Sequence, residues 1–97
     1  MIYELEFREE AWKEWHKLGA TVKEEFKRAL GERLKNPRIP RHALHGMVDH
    51  YKIKLRSAGY RLVYRVEDAR VTIVVVAVGK RERGEAYDKA KRRNLTS

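Results

Sequence analysis

Apolar and polar residues alternate in "IYELEF", with Tyr3, Leu5 and Phe7 on one side and Glu4 and Glu6 on the other. That period of two predicts a first strand. The period lengthens in "EEAWKEWHKLG", where Ala11, Trp15 and Leu18 form a helical stripe with Trp12 beside it, and Gly19 closes the helix. A second helix is expected over "TVKEEFKRALGERLKNP". Thr21 and Glu24 have capping-box spacing, Val22, Phe26, Ala29, Leu30 and Leu34 supply the apolar stripe, and Asn36-Pro37 ends it. The two helices are expected to pair as an antiparallel hairpin. A loop then runs from Pro37 to about His50, holding both prolines and three of the four histidines.

Strict alternation returns in "YKIKLRSAGYRLVYR". Tyr51, Ile53 and Leu55 point one way and Lys52, Lys54 and Arg56 the other. Ser57-Ala58-Gly59 is the expected hairpin turn, with Gly59 able to take a left-handed conformation. In the second strand Leu62, Tyr64 and Val66 share one face, and Arg61, Val63 and Arg65 share the other. After a turn at Glu67-Asp68-Ala69, "VTIVVVAV" is apolar on both faces, as a strand covered on both sides must be. The tail is helical from about Glu82, but its apolar stripe is only Ala86 and Ala90 with Tyr87, which predicts a loosely attached helix. The order β-α-α-β-β-β-α describes one α+β domain over residues 1–97, with a largely antiparallel sheet.

Charge makes the sheet unusual. The chain has 97 residues and a net charge of +9, carried mostly by its second half. Residues 1–48 hold 10 basic and 8 acidic side chains, and residues 49–97 hold 13 and 6. Such an excess points to a polyanion, with nucleic acid ahead of a membrane surface. The absence of cysteine excludes disulfides, thiolate chemistry and Cys-based zinc sites. The N-terminus is acidic and lacks a signal-peptide core, and the longest apolar run is too short to span a bilayer. A cytoplasmic protein that does not contact membrane is the expectation.

The candidate chemistry lies on the cationic face and just beyond it: Lys52, Lys54, Arg56, Arg61, Arg65, Lys80, Arg81, Arg83 and Tyr87. No carboxylate pair, Ser-His arrangement or glycine-rich phosphate loop accompanies them. His42, His45 and His50 lack metal-ligand spacing, so neither metal nor cofactor is expected. Arginine forks match phosphate oxygens, and tyrosines among cations offer stacking surfaces for unpaired bases. The plain alternative is a solvated basic face. Like charges two residues apart repel one another, however, and gain nothing without an anion between them.

"YKIKLRSAGYRLVYRV", followed after one strand by "VGKRERGEAY", closely resembles the bacterial RelE toxins of the RelE/ParE superfamily. The resemblance extends to "AWKEW" in the first helix, "KLG" with Thr21 after it, and "NPRI" before the loop. It implies a small microbial-RNase-like fold and a toxin that enters the ribosomal A site and cuts mRNA there. The 70S ribosome with its 16S rRNA, a RelB-type antitoxin and, through the toxin–antitoxin complex, operator DNA are the implied partners. The family's catalytic set falls on Lys52, Lys54, Arg61, Arg81 and Tyr87. His45, Arg56, Arg65, Lys80 and Arg83 are then expected to bind substrate. The chain departs from the family at His45, where arginine stands in the pattern, and that bears on base preference more than on cutting. RNA supplies its own nucleophile in the 2′-hydroxyl, so protein groups need only orient it, move protons and stabilise charge. The implied roles are Tyr87 as base with Lys52 and Lys54 assisting, Arg61 on the phosphate, and Arg81 as acid or as hydrogen-bond donor to the leaving oxygen. A ParE-like gyrase inhibitor and a nuclease-inactive RNA-binding relative are the alternatives.

Overall fold

The computed structural model describes residues 2–55 and 59–96, with the side chains at positions 83, 95 and 96 outside that description. Arg56, with Ser57 and Ala58 of the expected turn, lies outside the described residues. The elements follow the expected order: β1 (Glu4–Phe7), α1 (Glu9–His16), α2 (Ala20–Lys35), β2 (His50–Leu55), β3 (Tyr60–Glu67), β4 (Thr72–Lys80) and α3 (Glu85–Thr96). The sheet runs β1-β4-β3-β2. β4, β3 and β2 are antiparallel neighbours, and β1 joins β4 in parallel. This is the α+β, largely antiparallel arrangement that the alternation required.

The start of α2 and the loop before β2 differ from expectation for local reasons. α2 begins at Ala20, because Gly19 in an extended conformation takes the N-cap position and its carbonyl accepts from Lys23 N–H at 3.0 Å. Thr21 therefore sits inside the first turn and the capping box does not form. The loop before β2 is also more ordered than a polar linker. It holds a short 3-10 turn at Pro40–His42 and a bridge from Ala43 to Tyr51 along the outer side of β2. Gly59 does take the left-handed region, at φ +67.

The sheet has an apolar cluster on each face. On one side Trp15 of α1 and Phe26 and Leu30 of α2 meet Ile53, Leu62, Tyr64, Ile73 and Val75. On the other, Ala86 and Ala90 of α3 meet Met47, Val63, Val76 and Ala77. β4 is buried from Thr72 through Gly79, which is why both faces of its sequence are apolar. The pairing skips one residue of β4 between Val63 and Tyr64, and this irregularity turns both Val76 and Ala77 toward α3.

β1 is short, and that leaves a problem at the sheet edge. It pairs only with residues 72–75 of β4, so the outward backbone groups of the remaining half have no strand beside them. Buried peptide groups must find partners. Side chains provide them here. Arg93 Nη1 donates to Val76 O at 2.7 Å and Lys89 Nζ to Val78 O at 3.4 Å. Val78 N–H donates to Glu14 Oε1 at 3.0 Å, and Lys80 N–H to Glu85 Oε2 at 3.2 Å. Glu14 of α1 also receives both arms of Arg93, at 3.0 and 2.8 Å, and Lys89 at 2.9 Å. Burial pushes its carboxyl up, but the bonds from Arg93, Lys89 and Val78 outweigh that and hold it below the usual carboxylate range. α3 is thus anchored by polar contacts that its thin apolar stripe does not reveal.

Among the described residues, His50 is the buried group with an unmet need. The residue is 2% exposed, Nδ1 donates to Val48 O at 2.7 Å, and Nε2 has no protein partner among the described residues. Burial lowers its pKa, the Val48 carbonyl opposes that, and Arg65 across the strand pair lowers it further while Asp49 opposes. A lowered folded-state value means that the unfolded chain binds the proton more readily. Stability contributed by neutral His50 is therefore present above its unfolded value of about 6.5 and is lost as pH falls below it. Urea midpoints taken at mildly alkaline and mildly acidic pH should fall more for the wild type than for His50→Leu. Equal falls would show that His50 is not the group responsible.

Candidate active site

The register of β2 and β3 assembles the cations. Lys54 lies directly opposite Arg61, and Lys52 opposite Val63. Side chains opposite one another on paired strands share a face, so two like charges are held as neighbours at Lys54 and Arg61. Val63 belongs to the cluster beneath α3, which places these cations on the α3 face of the sheet. Arg61 is in turn opposite Gly79 of β4. That glycine is where α3 comes closest: a Cβ there would lie 3.2 Å from the Ala86 backbone nitrogen and 3.2 Å from the Glu85 side chain.

α3 then carries Tyr87 over the cations. The Tyr87 hydroxyl accepts from Arg61 Nη1 at 2.8 Å. The Arg61 guanidinium carbon is 5.4 Å from the ring centroid, and Lys52 Nζ is 6.0 Å from it. Among the described residues, Lys52, Arg61 and Arg81 make no ion pair with a carboxylate. The resulting field is felt at His42, whose pKa is lowered by burial first and then by Arg33, Arg41, Lys52 and Lys54. Arg81 follows the end of β4, with its backbone N–H donating to Gly59 O at 2.7 Å, and its side chain is exposed.

A groove of about 300 Å³ adjoins Tyr87, lined by Ala43, Leu44, His45, Met47, Lys52 and Lys91 as well as the tyrosine itself. It brings His45 beside two members of the implied catalytic set. Lys91 was not among the expected site residues. The signal was available, since a residue four positions after Tyr87 shares its helix face.

Other expected residues are placed apart. Arg65 is four residues along β3 from Arg61, on the order of 13 Å for an extended strand, and pairs with Glu67 at 2.8 Å. Lys80 is opposite Tyr60 and turns to the α1 side of the sheet, beside Lys17, Leu18 and Glu85. Arg56 lies outside the described residues, as does the side chain of Arg83. Two of the tyrosines are spent on the core: Tyr51 and Tyr64 are buried and stack at 5.8 Å on the opposite face from Tyr87. No three His, Asp or Glu side chains converge as a metal site would need, among the described residues.

Residues 5–84 match the family described as the ParE toxin of type II toxin–antitoxin systems, parDE. The mRNA interferase toxin RelE of Escherichia coli strain K12 is 57% identical over 95 residues, covering 98% of this chain and 100% of that protein. The chain belongs to the RelE toxin family. A double variant of E. coli RelE in the free state has 55% identity and a TM-score of 0.89, over 96% of this chain and 98% of its own. The E. coli RelE variant in complex with a peptide of the antitoxin RelB has 56% identity and a TM-score of 0.81, over 93% and 95%.

In this RelE-family chain Gly79 limits how closely α3, which carries Tyr87, approaches the sheet. Gly79→Ala forces a contact with the Ala86 backbone, which cannot rotate away as the Glu85 side chain can. Overpacking of this kind costs about 1–3 kcal/mol. The expected outcome is a lower urea midpoint with faster amide exchange in the first turn of α3. An unchanged midpoint would mean that the helix has room to spare.

Proposed function

We propose that this chain is the toxin of a type II toxin–antitoxin pair and acts as a ribosome-dependent mRNA endoribonuclease, cutting mRNA in the ribosomal A site. The observation that carries this reading is the contact between Arg61 and Tyr87, with Lys52 and Lys54 beside it. A cluster of cations closed by a phenol fits a phosphodiester with its 2′-hydroxyl. Arg61 has five N–H donors and uses one on Tyr87, which leaves others for phosphate oxygens. In the reaction the 2′-oxygen forms a bond to phosphorus as the 5′-oxygen leaves, giving a 2′,3′-cyclic phosphate and a 5′-hydroxyl. Tyr87 takes the 2′-proton with Lys52 and Lys54 supplying charge, Arg61 stabilises the pentavalent phosphorus, and Arg81 donates toward the leaving oxygen.

In this reading His45, which lines a groove with Lys52 and Tyr87, stacks on a base next to the cut. Lys80, Arg56, Arg65 and Arg83 remain candidates for rRNA or mRNA backbone contacts rather than for the chemistry, which accommodates the placement of Arg65 and Lys80 away from Tyr87. The reading includes a RelB-like, acidic antitoxin that covers the basic half, regulation of operator DNA through the joint complex, and a cytoplasmic site of action. No described helix is long and apolar enough to cross a membrane.

Tyrosine, lysine and arginine are residue types whose ordinary pKa values lie well above neutral pH. Precise positioning by the ribosome is therefore expected to supply much of the rate. Purified protein should cut programmed ribosomes within the A-site codon and leave the same naked mRNA almost intact, as mapped by primer extension. Arg61→Ala should slow single-turnover cleavage by roughly 2.7–4 kcal/mol, by analogy with loss of one oxyanion donor. Equal cutting of naked mRNA would make the protein a self-sufficient ribonuclease. Absence of cutting would favour the nuclease-inactive relative, and gyrase inhibition without cutting the ParE-like one.

A further inference from the structure

Seen along α3, three sets of side chains occupy neighbouring sectors. Successive residues turn by about 100°. Ala86 and Ala90 therefore form a central stripe, Tyr87 and Lys91 fall on one flank, and Lys89 and Arg93 fall on the other. The central stripe is buried, at 1% and 0% exposure. Methyl groups interlock weakly with the strands beneath, so the stripe alone offers little resistance to the helix rolling about its axis. A small roll would carry the Tyr87 hydroxyl away from Arg61.

The other flank resists that roll. Lys89 and Arg93 converge on Glu14, at 2.9 Å for the lysine and 3.0 and 2.8 Å for the two arms of the arginine. The side chains are mostly buried, with 16% exposure for Glu14, 20% for Lys89 and 14% for Arg93. Glu14 is itself fixed to the sheet by Val78 N–H, and Arg93 by Val76 O. Arg8 adds a bond to the Arg93 carbonyl at 3.3 Å. None of these groups faces the groove beside Tyr87.

We propose that Glu14 is a positioning residue for the reaction: through Lys89 and Arg93 it clasps the far flank of α3 and so sets the Arg61–Tyr87 contact. This rests on the nuclease reading above for its effect on rate, but not for its effect on Tyr87. A carboxylate is required because only it accepts from all four donors at once. Glutamine at position 14 keeps the shape and loses the charge and one acceptor.

The test is Glu14→Gln, read in two ways. With tyrosines labelled at the ring carbon that bears the hydroxyl, the Tyr87 resonance reports the bond from Arg61, and Arg61→Ala gives the reference position without it. In Glu14→Gln the Tyr87 signal should move toward that reference while those of buried Tyr51 and Tyr64 stay in place. Single-turnover cleavage on saturating ribosomes should fall about 10- to 100-fold, with the half-saturating ribosome concentration little changed. Should Glu14→Gln fail to fold, Lys89→Met leaves the Arg93 fork in place and should give the same selective movement to a smaller degree. A Tyr87 signal that stays in place in a folded variant overturns the proposal, as does movement of all three tyrosines together. If Tyr87 moves selectively in a protein whose wild type never cuts mRNA, the clasp stands and the nuclease reading fails.

Discussion

A strand that is only half paired governs the architecture. β4 is the most buried strand, yet β1 covers only residues 72–75 of it. A longer β1 would complete the edge with backbone bonds and leave α3 without its polar anchors. Because β1 stops, the second half of β4 recruits Glu14 from α1 and Glu85, Lys89 and Arg93 from α3. One edge defect thus joins both helical layers to the central strand. It also explains the opposed demands at Glu14, where burial alone would favour the neutral acid and the converging donors keep the carboxylate.

The cationic face follows a different logic. Elsewhere the molecule neutralises its charges: Arg38 bridges Asp49 and Asp68, and Glu67 takes Arg65 and Arg70. At Lys52 and Arg61 no carboxylate answers among the described residues. Holding Lys54 against Arg61 across the strand pair costs electrostatic energy that surface solvation reduces but does not abolish. The sheet bears that cost by virtue of its other face, where Leu62, Tyr64 and Ile53 are buried. A phosphate arriving between these cations would relieve their repulsion as well as gain its own hydrogen bonds.

Element type and order were legible because period two and period 3.6 rarely coexist, and because Gly19, Pro37 and Gly59 punctuate the changes. The cation face was legible for the same reason, since alternation assigns Lys52, Lys54 and Arg61 without ambiguity. Pairwise contacts between distant segments were not. Nothing local marks Glu14 as the partner of residues 75 and more positions later, nor Arg33 as a buried donor to the Tyr64 hydroxyl at 2.8 Å. Lys80 and Arg65 were assigned by charge and nearness in sequence, which say nothing about the register shift in β4 or the carboxylate at Glu67. The family resemblance supplied what periodicity could not, namely that Tyr87 returns to the face carrying Arg61.

The division of the site between two kinds of element has a consequence of its own. Lys52, Lys54 and Arg61 stand on paired strands, whose ladder fixes their spacing to within the tolerance of backbone hydrogen bonds. Tyr87 stands on a helix that, among its described side chains, packs Ala86, Ala90 and Tyr87 against the sheet and is otherwise held by ion pairs and hydrogen bonds at the edge of β4. Backbone ladders open only with the fold, whereas ionic anchors at an edge can be exchanged for those of another charged chain. The cationic part of the arrangement is therefore built into the sheet, and the position of Tyr87 depends on how α3 is anchored. The spacing of the cations is thus set by the sheet, and the distance from Tyr87 to Arg61 by where one helix sits.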